Sequence, residues 1–366
     1  MRIVIIGLRG IPDVQGGVER HVEKLAPRLV KLGCDVHVIG RRAYQPVEAL
    51  PVWNGVTLHT LWSPKNRYLE APLHTFLSIL YSLTLRPRVI HFHAIGPSLF
   101  VPFARLLGFK VVVTHHGPDY ERAKWGGMAK KILRLGEYAG MRYSSARISI
   151  SETISNLVLK KYKKNCFLIP NGVEAPAFRK EMGVVEKFGL VPNKYVIMVS
   201  RFVPEKNHND LIKAFDKLNL VGWKLVFVGK ADHQDSYSSR LLSENSSNRN
   251  IIFTGFKSGN DLANLYHHAG VFVLPSSHEG LPISLLEALS FGLPVVASNI
   301  PANLEVGLPE EQYFKLGDSE DLAVKIRLMS TRSADDEFRK KISAAVIEKY
   351  DWDVIANKTV AVYESL

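Results

Sequence analysis

Two glutamates eight residues apart, Glu279 and Glu287, bracket a loop-to-helix transition in the stretch Ser276–Ser298, SSHEGLPISLLEALSFGLPVVAS. Ser276 to Gly280 reads as a polar loop. Leu281 to Ser290 reads as a helix with Pro282 in its first turn, where a missing N–H costs nothing, and Gly292 marks its stop. A helix N-terminus offers unpaired N–H groups and a positive dipole end, which suit a phosphate. Carboxylates accept hydrogen bonds from ribose or sugar hydroxyls. The stretch thus sets phosphate donors between two hydroxyl acceptors. Two glutamates at this spacing also describe a solvated surface helix. The apolar run GVFVLPSS just before them places the loop at a strand's C-terminal end, where open α/β sheets bind ligands.

Other residues fit the same chemistry. SRFVPEKNHNDLIKAF puts Arg201 at a strand end and Lys206 just before a helix, a clamp for a diphosphate. Near the N-terminus, RIVIIG runs into LRGIPDVQGGVERHV. Gly7 and Gly10 stand too far from Gly16-Gly17 for the tight turn of a dinucleotide fingerprint. Gly16 and Gly17 directly before a helix let backbone N–H groups approach an anion from a longer loop. Arg41-Arg42 stand where an NAD enzyme carries an acid and could take a 2′-phosphate, so an NADP oxidoreductase is one alternative, against the glycine spacing.

His91, His93, His115 and His116 close two strands, VIHFHA and VVVTHHG. A metal shell lacks an evident carboxylate or cysteine. His91 and His93 are therefore expected to be packed and satisfied. Of His115 and His116, alternation points one toward a ligand and the other away. The one D-x-D pattern, Asp351-Trp352-Asp353, opens the terminal helix, the wrong setting for a diphosphate-binding metal, so no metal is expected.

These residues need elements to position them. The first half alternates strand and helix: RIVIIG, helix Val18–Leu32, CDVHVIG, VTLHTL, helix Leu73–Leu85, VIHFHA, helix Ser98–Leu107, KVVVTHHG, helix Met128–Ser144, ARISIS, helix Glu152–Tyr162, CFLIP. After a turn-rich linker at Pro170–Phe178 the second half repeats the pattern with KYVIMVSR, KLVFVG, NIIFTG, GVFVLPSS and PVVAS. Such alternation predicts an α/β protein of two Rossmann-like doubly wound domains facing a central cleft. The expected domains are residues 1–170, with a terminal helix 350–366 packing back on them, and residues 171–349.

A chain of 366 residues fits two domains. Its two cysteines, Cys34 and Cys166, show no metal or redox spacing and suit a reducing compartment. No apolar run reaches the length of a spanning helix, and MRIVIIG is a strand rather than a signal peptide. Charge is uneven: residues 1–170 hold 25 Lys and Arg against 10 Asp and Glu, and the remainder 22 against 25. The basic half, with clusters at Lys130-Lys131, Arg134 and Lys160 to Lys164, suits an anionic membrane surface. Aromatics are not interleaved with it as nucleic-acid stacking needs, so no nucleic acid is expected.

At these motifs the chain resembles a retaining glycosyltransferase of the GT-B fold, in family four. SHEGLPISLLEALSFGLPVVAS is similar to that family's acidic-pair motif, SRFVPEKN to its Arg/Lys element, LIPNGVE to its interdomain segment and YDWDVIANKTVAVYESL to its terminal helix. The N-terminal run MRIVIIGLRGIPDVQGGVERHVEKLAPRLV resembles a bacterial subgroup that makes cell-surface polysaccharide. The resemblance implies that Arg201 and Lys206 bind the donor diphosphate, Glu287 the ribose and Glu279 the donor sugar, with Gly280, Leu281 and Pro282 along that sugar. It also implies that Gly16 and Gly17 approach the phosphates and that His116, or His115, lies near the sugar. The loop after KLVFVG departs from the family's glycine-rich continuation, which sets aside Gly229 and Lys230 as contacts.

The resemblance thus implies a metal-independent, retaining hexosyltransferase without cofactor. It would use a nucleotide sugar, a UDP-sugar first, and a lipid-linked or other glycan acceptor. The protein would be cytoplasmic and peripheral at the inner membrane face, with acceptor loops at Ser63–Leu69 and Asp119–Gly127. A nucleotide-sugar epimerase of the same fold and a non-catalytic nucleotide-sugar binding module are rival functions for the same motifs.

Overall fold

The structure is a computed structural model that describes residues 1–44, 51–64, 66, 68–122, 125–176, 182–232, 235–333 and 335–366. Parts of both expected acceptor loops, and Ala177 and Phe178 of the expected linker, lie outside the described residues. The chain divides into two compact units, Met1–Gly172 with Trp352–Leu366, and Val173–Asp351.

The first unit is built on strands β1 (Arg2–Ile6), β2 (Asp35–Arg41), β3 (Val52–Trp53), β4 (Val56–Leu61), β5 (Val89–His93), β6 (Lys110–His115), β7 (Ala146–Ser149) and β8 (Phe167–Leu168). Their order is β3-β4-β2-β1-β5-β6-β7-β8, parallel except for the β3–β4 pair. The central strands are continuous apolar runs because helices cover both faces; Ile3 to Ile6 are wholly buried. Helices α1 (Gly17–Lys31), α2 (Glu70–Leu85), α3 (Val101–Leu106), α4 (Gly127–Tyr143) and α5 (Glu152–Tyr162) connect them. Along α1, Val22, Leu25 and Leu29 fall on one stripe and enter the core. The segment expected as one helix from Ser98 to Leu107 is a 3-10 turn, Pro97–Phe100, running into the short α3, with Pro97 and Pro102 lacking N–H donors.

The second unit carries β9 (Tyr195–Val199), β10 (Lys224–Val228), β11 (Ile251–Gly255), β12 (Val271–Leu274), β13 (Val295–Ser298) and β14 (Tyr313–Phe314), ordered β11-β10-β9-β12-β13-β14 and all parallel. Its helices are α6 (Gly183–Lys187), α7 (His208–Leu218), α8 (Ser236–Glu244), α9 (Gly259–His267), α10 (Ile283–Ser290), α11 (Pro301–Leu304), α12 (Ser319–Ser330) and α13 (Asp336–Lys349). The sheet and α7, α8 and α12 share a core of Val196, Met198, Leu211, Phe215, Leu225, Phe227, Leu241 and Ile326. Both units are therefore doubly wound Rossmann-like α/β folds.

The last helix, α14 (Trp352–Glu364), belongs to the first unit. Trp352, Ile355, Ala356, Val362 and Tyr363 join the core that holds α1 and β1. A Cβ on Gly172 would lie 2.6 Å from the Trp352 indole, so only glycine lets the chain pass there. The buried His91 on β5 sits between the Tyr363 hydroxyl and the Thr114 hydroxyl, 2.7 Å from each. Arg28 of α1 adds an ion pair to Asp353 at 2.8 Å. Truncating Trp352 to Ala is expected to lower the stability of this unit by about 3–5 kcal/mol. Urea unfolding checks it, and a loss below about 1 kcal/mol would mean that α14 contributes little to the core.

Burial, with the His21 ring nearby, pushes the His91 imidazole down from 6.5 to about 3. The folded unit then binds fewer protons than the unfolded chain, so this contribution is complete above pH 6.5 and is lost as the pH falls toward 3. Burial alone would raise the carboxyl of Glu137 on α4, but hydrogen bonds from His115, Lys161 and Tyr162 outweigh it and bring it to about 2. Its contribution is thus lost only below its ordinary value of 4.5. Unfolding midpoints should fall between pH 6.5 and 4.5, and less steeply in His91→Gln than in the wild type. Identical slopes would contradict this assignment.

Candidate active site

In the second unit β9 lies between β10 and β12, so consecutive connections leave it in opposite directions. That is the switch point at which open sheets leave a crevice beyond the strand ends. Arg201 stands two residues past the end of β9. Its Nη1 lies 2.7 Å from Asp232 Oδ2 in the loop after β10, with both side chains less than a fifth exposed. Gly229 lets these two strand ends meet: its φ is +141° and a Cβ would lie 1.9 Å from the Ser200 carbonyl oxygen.

Lys206 closes a 3-10 turn, Pro204–Lys206, and its ammonium pairs with the Glu279 carboxylate in the loop after β12. Neighbouring bonds tie these two loops together. Asn207 Nδ2 donates to the Pro275 carbonyl at 2.9 Å, and the Ser277 N–H donates to the Glu205 carbonyl at 2.9 Å. Helix α10 then starts at Ile283 with Pro282 as its cap rather than in its first turn, because Pro282 has an extended ψ of 104°. Gly280, Leu281 and Pro282 thus form the bridge from Glu279 to the helix, with Leu281 buried. Glu287, one turn into α10, accepts from the Tyr266 hydroxyl at 3.3 Å, which also reaches the Ser284 carbonyl.

Every member of the Arg/Lys and acidic-pair sets therefore lies in one unit, on loops at neighbouring strand ends and the helix that follows. Each cation faces a carboxylate of the protein. A diphosphate carries the charge to displace those carboxylates and take both cations, and charge-assisted bonds to Arg and Lys are the strong kind. Asp232 and Tyr266 were not singled out from the sequence. Asp232 could have been suspected from its place just after a strand end; nothing local marks Tyr266.

Gly16, Gly17 and His116 belong to the first unit. The Gly16 position, φ +151°, is crowded: a Cβ would lie 2.0 Å from Glu19 Oε2 and 2.6 Å from Arg9 Nη2. Arg9 donates to Glu19 Oε1 from its backbone N–H and its Nε, each at 3.1 Å. Burial raises the Glu19 carboxyl, and this guanidinium more than reverses it, leaving the group below its ordinary range. Gly16 thus makes room for the Arg9–Glu19 pair, whereas Gly17 has open space beside it.

His115 and His116 part company. His115 Nε2 lies 2.9 Å from the buried Glu137, which also accepts from Tyr120 at 3.1 Å and takes contacts from Lys161 and Tyr162. Glu137 is a carboxylate beside these histidines that the sequence does not make evident, and it commits His115 to the core. His116, only partly buried, has its Nε2 2.8 Å from His93 Nδ1. His93 departs from the expected satisfied packing, because its Nε2 is buried with no partner among the described residues. His21, which was not singled out from the sequence either, completes a group with these two. It was hidden as a polar residue on the apolar stripe of α1.

Two family models match side by side. Glycosyltransferase Family 4 matches residues 15–175, and Glycosyl transferases group 1 matches residues 186–349. An uncharacterized glycosyltransferase of Methanocaldococcus jannaschii is 27% identical over 100% of this chain and 98% of its own length. The UDP-Gal:alpha-D-GlcNAc-diphosphoundecaprenol alpha-1,3-galactosyltransferase of Escherichia coli is 29% identical over 61% of each chain. Among solved structures, sucrose-phosphate synthase from Thermosynechococcus elongatus superposes with a TM-score of 0.84 at 22% identity, covering 100% of this chain and 98% of that one. Anabaena HepE in complex with UDP-glucose superposes with a TM-score of 0.80 at 17% identity, covering both chains fully. With one model matching within each half and GT-B folds as neighbours, the comparisons support a glycosyltransferase of the family 4 type.

Proposed function

We propose that this glycosyltransferase moves a hexose from a nucleoside-diphosphate sugar, a UDP-sugar first, to a lipid-linked glycan acceptor, with retention at the anomeric carbon. The observation that carries the reading is the pairing of Arg201 with Asp232 and of Lys206 with Glu279 around one strand-end crevice. Two similar proteins support it: the Escherichia coli galactosyltransferase is named for UDP-Gal and a diphosphoundecaprenol-linked acceptor, and the HepE structure holds UDP-glucose.

In this reading Arg201 and Lys206 take the donor diphosphate. Glu287, held by Tyr266, accepts from the ribose hydroxyls. Glu279, released by Lys206, orients the donor sugar, and the backbone of Gly280, Leu281 and Pro282 lies along it. As the bond from the anomeric carbon to the phosphate oxygen breaks, negative charge builds on the diphosphate, and preorganised cations stabilise it. The acceptor oxygen attacks the same face and forms the new glycosidic bond, and its proton passes to the departing phosphate oxygen. Protein cations thus fill the role that a divalent ion takes where a D-x-D pair holds one. Here Asp353 of the only such pattern pairs with Arg28, and Trp352 is buried in the core.

The acceptor side of the proposal rests on α4. Met128, Ile132, Leu135 and Tyr138 form an exposed apolar stripe, with Met128 71% and Leu135 55% exposed. The exposed Lys131, Arg134 and Arg142 lie on the same helix. Such a face suits the anionic inner surface of a membrane. No helix among the described residues is long and apolar enough to cross one.

Lys206→Ala, Arg201→Ala and Glu287→Ala should each lower kcat/KM for transfer from a UDP-sugar by about 100-fold or more with the fold intact. Circular dichroism and a radiolabelled transfer assay check this. Near-normal turnover in Lys206→Ala and Glu287→Ala would reject the reading, and donor isomerisation without acceptor would replace it with epimerisation.

A further inference from the structure

The first unit brings three imidazoles together from three elements: His21 on α1, His93 at the end of β5 and His116 just past β6. Their ring centroids form a nearly equilateral triangle, 5.4 Å for His21–His93, 5.0 Å for His21–His116 and 5.1 Å for His93–His116. One nitrogen from each ring lies within 4.8 Å of the other two. We infer that His21, His93 and His116 form a site for a borderline divalent transition-metal ion, zinc first.

Four observations carry this. First, three rings delivered by α1, β5 and the residue just past β6 each offer one ligand atom to a single point. Second, the tautomer of His21 is set. Its Nδ1 lies 2.8 Å from Asn171 Oδ1, an amide oxygen that only accepts, so Nδ1 carries the hydrogen and Nε2 carries the lone pair. That is the outer-sphere bond that zinc-bound histidines make. Third, His93 Nδ1 and His116 Nε2 already face each other at 2.8 Å, and the other His93 nitrogen, Nε2, is buried with no partner among the described residues. Fourth, the scaffold is stiff where it needs to be. His93 is wholly buried and packs against His91 with ring centroids 4.2 Å apart and planes tilted by 37°, and Trp352 sets its ring against His21 at 5.3 Å.

The dimensions fit. Zinc–nitrogen bonds of about 2.0–2.1 Å at tetrahedral angles set ligand nitrogens about 3.3 Å apart. His93 Nδ1 and His116 Nε2 already stand at 2.8 Å, so binding asks for small side-chain rotations. His116 is partly exposed, which leaves an approach and a fourth position for water or a substrate oxygen. Three imidazoles with one open position are the ligand set of reactive rather than purely structural zinc. Neutral nitrogen ligands also favour zinc, copper or nickel over magnesium and calcium, which need oxygen.

The full-length protein, stripped with EDTA and titrated with Co2+, should bind one equivalent with visible d–d bands that one equivalent of Zn2+ abolishes. His116→Ala and His21→Ala should each lose the bands, while His59→Ala, altered on β4, should keep them. Asn171→Ala retains all three ligands and should weaken binding by about 10–100-fold. Circular dichroism of each variant separates ligand loss from unfolding. A wild type that stays spectroscopically silent, or bands that survive in His116→Ala, would overturn the site. The readout is metal binding alone, so it stands apart from the transfer reaction.

Discussion

The ion pair between Lys206 and Glu279 is the constraint on which the rest of the site depends. Both groups are largely shielded from water, with side chains 14% and 11% exposed. A charge in such a place must be paired, because breaking a buried pair by removing one partner costs several kcal/mol. The protein therefore holds its cation ready by setting it against one of its own carboxylates. Arg201 and Asp232 repeat the device one strand over. In the proposed function a nucleoside diphosphate, with stronger and more numerous acceptors than a carboxylate, would displace the internal partner, the released carboxylate would be free for sugar hydroxyls, and cation and acid would serve two parts of one ligand.

The first unit solves a different problem with the same economy of charge. It buries six histidines, His21, His37, His74, His91, His93 and His115, below a tenth of their exposure. His91 is fixed by two hydroxyls and His115 by a carboxylate that two tyrosines and a lysine also share. These are closed networks, and closed polar networks rigidify a core. The His21, His93 and His116 group is open by contrast, with an unpartnered nitrogen on His93 among the described residues. That difference separates groups that hold the sheet together from groups left for a ligand.

Much of the fold was legible because each central strand is buried on both faces and so reads as an unbroken apolar run bounded by turns. Helices α1 and α7 were legible from stripes such as Val22, Leu25 and Leu29. The two-residue strands β3 and β14 escaped because two residues carry no period. Helix α3 was misjudged because Pro97 and Pro102 favour a tighter turn in an otherwise helical composition. In the candidate site, Arg201, Lys206, Glu279 and Glu287 stood out through local context, each beside a strand end or helix start. Their partners did not. Lys206 and Glu279 are 73 residues apart and Arg201 and Asp232 are 31 apart, so only the sheet order β10-β9-β12 brings them together. His21 was hidden more deeply, since a histidine on an apolar helix stripe looks like packing until the neighbouring strands deliver two more.

The most direct measurement of whether Lys206 is a cation held in reserve is calorimetric titration of UDP into wild type and Glu279→Gln. If the carboxylate competes with the diphosphate for Lys206, removing its charge must free the cation, and UDP should bind several-fold more tightly to the variant. Equal or weaker binding by Glu279→Gln would show that Lys206 is not kept for the diphosphate, and the assignment of the crevice would fall with it.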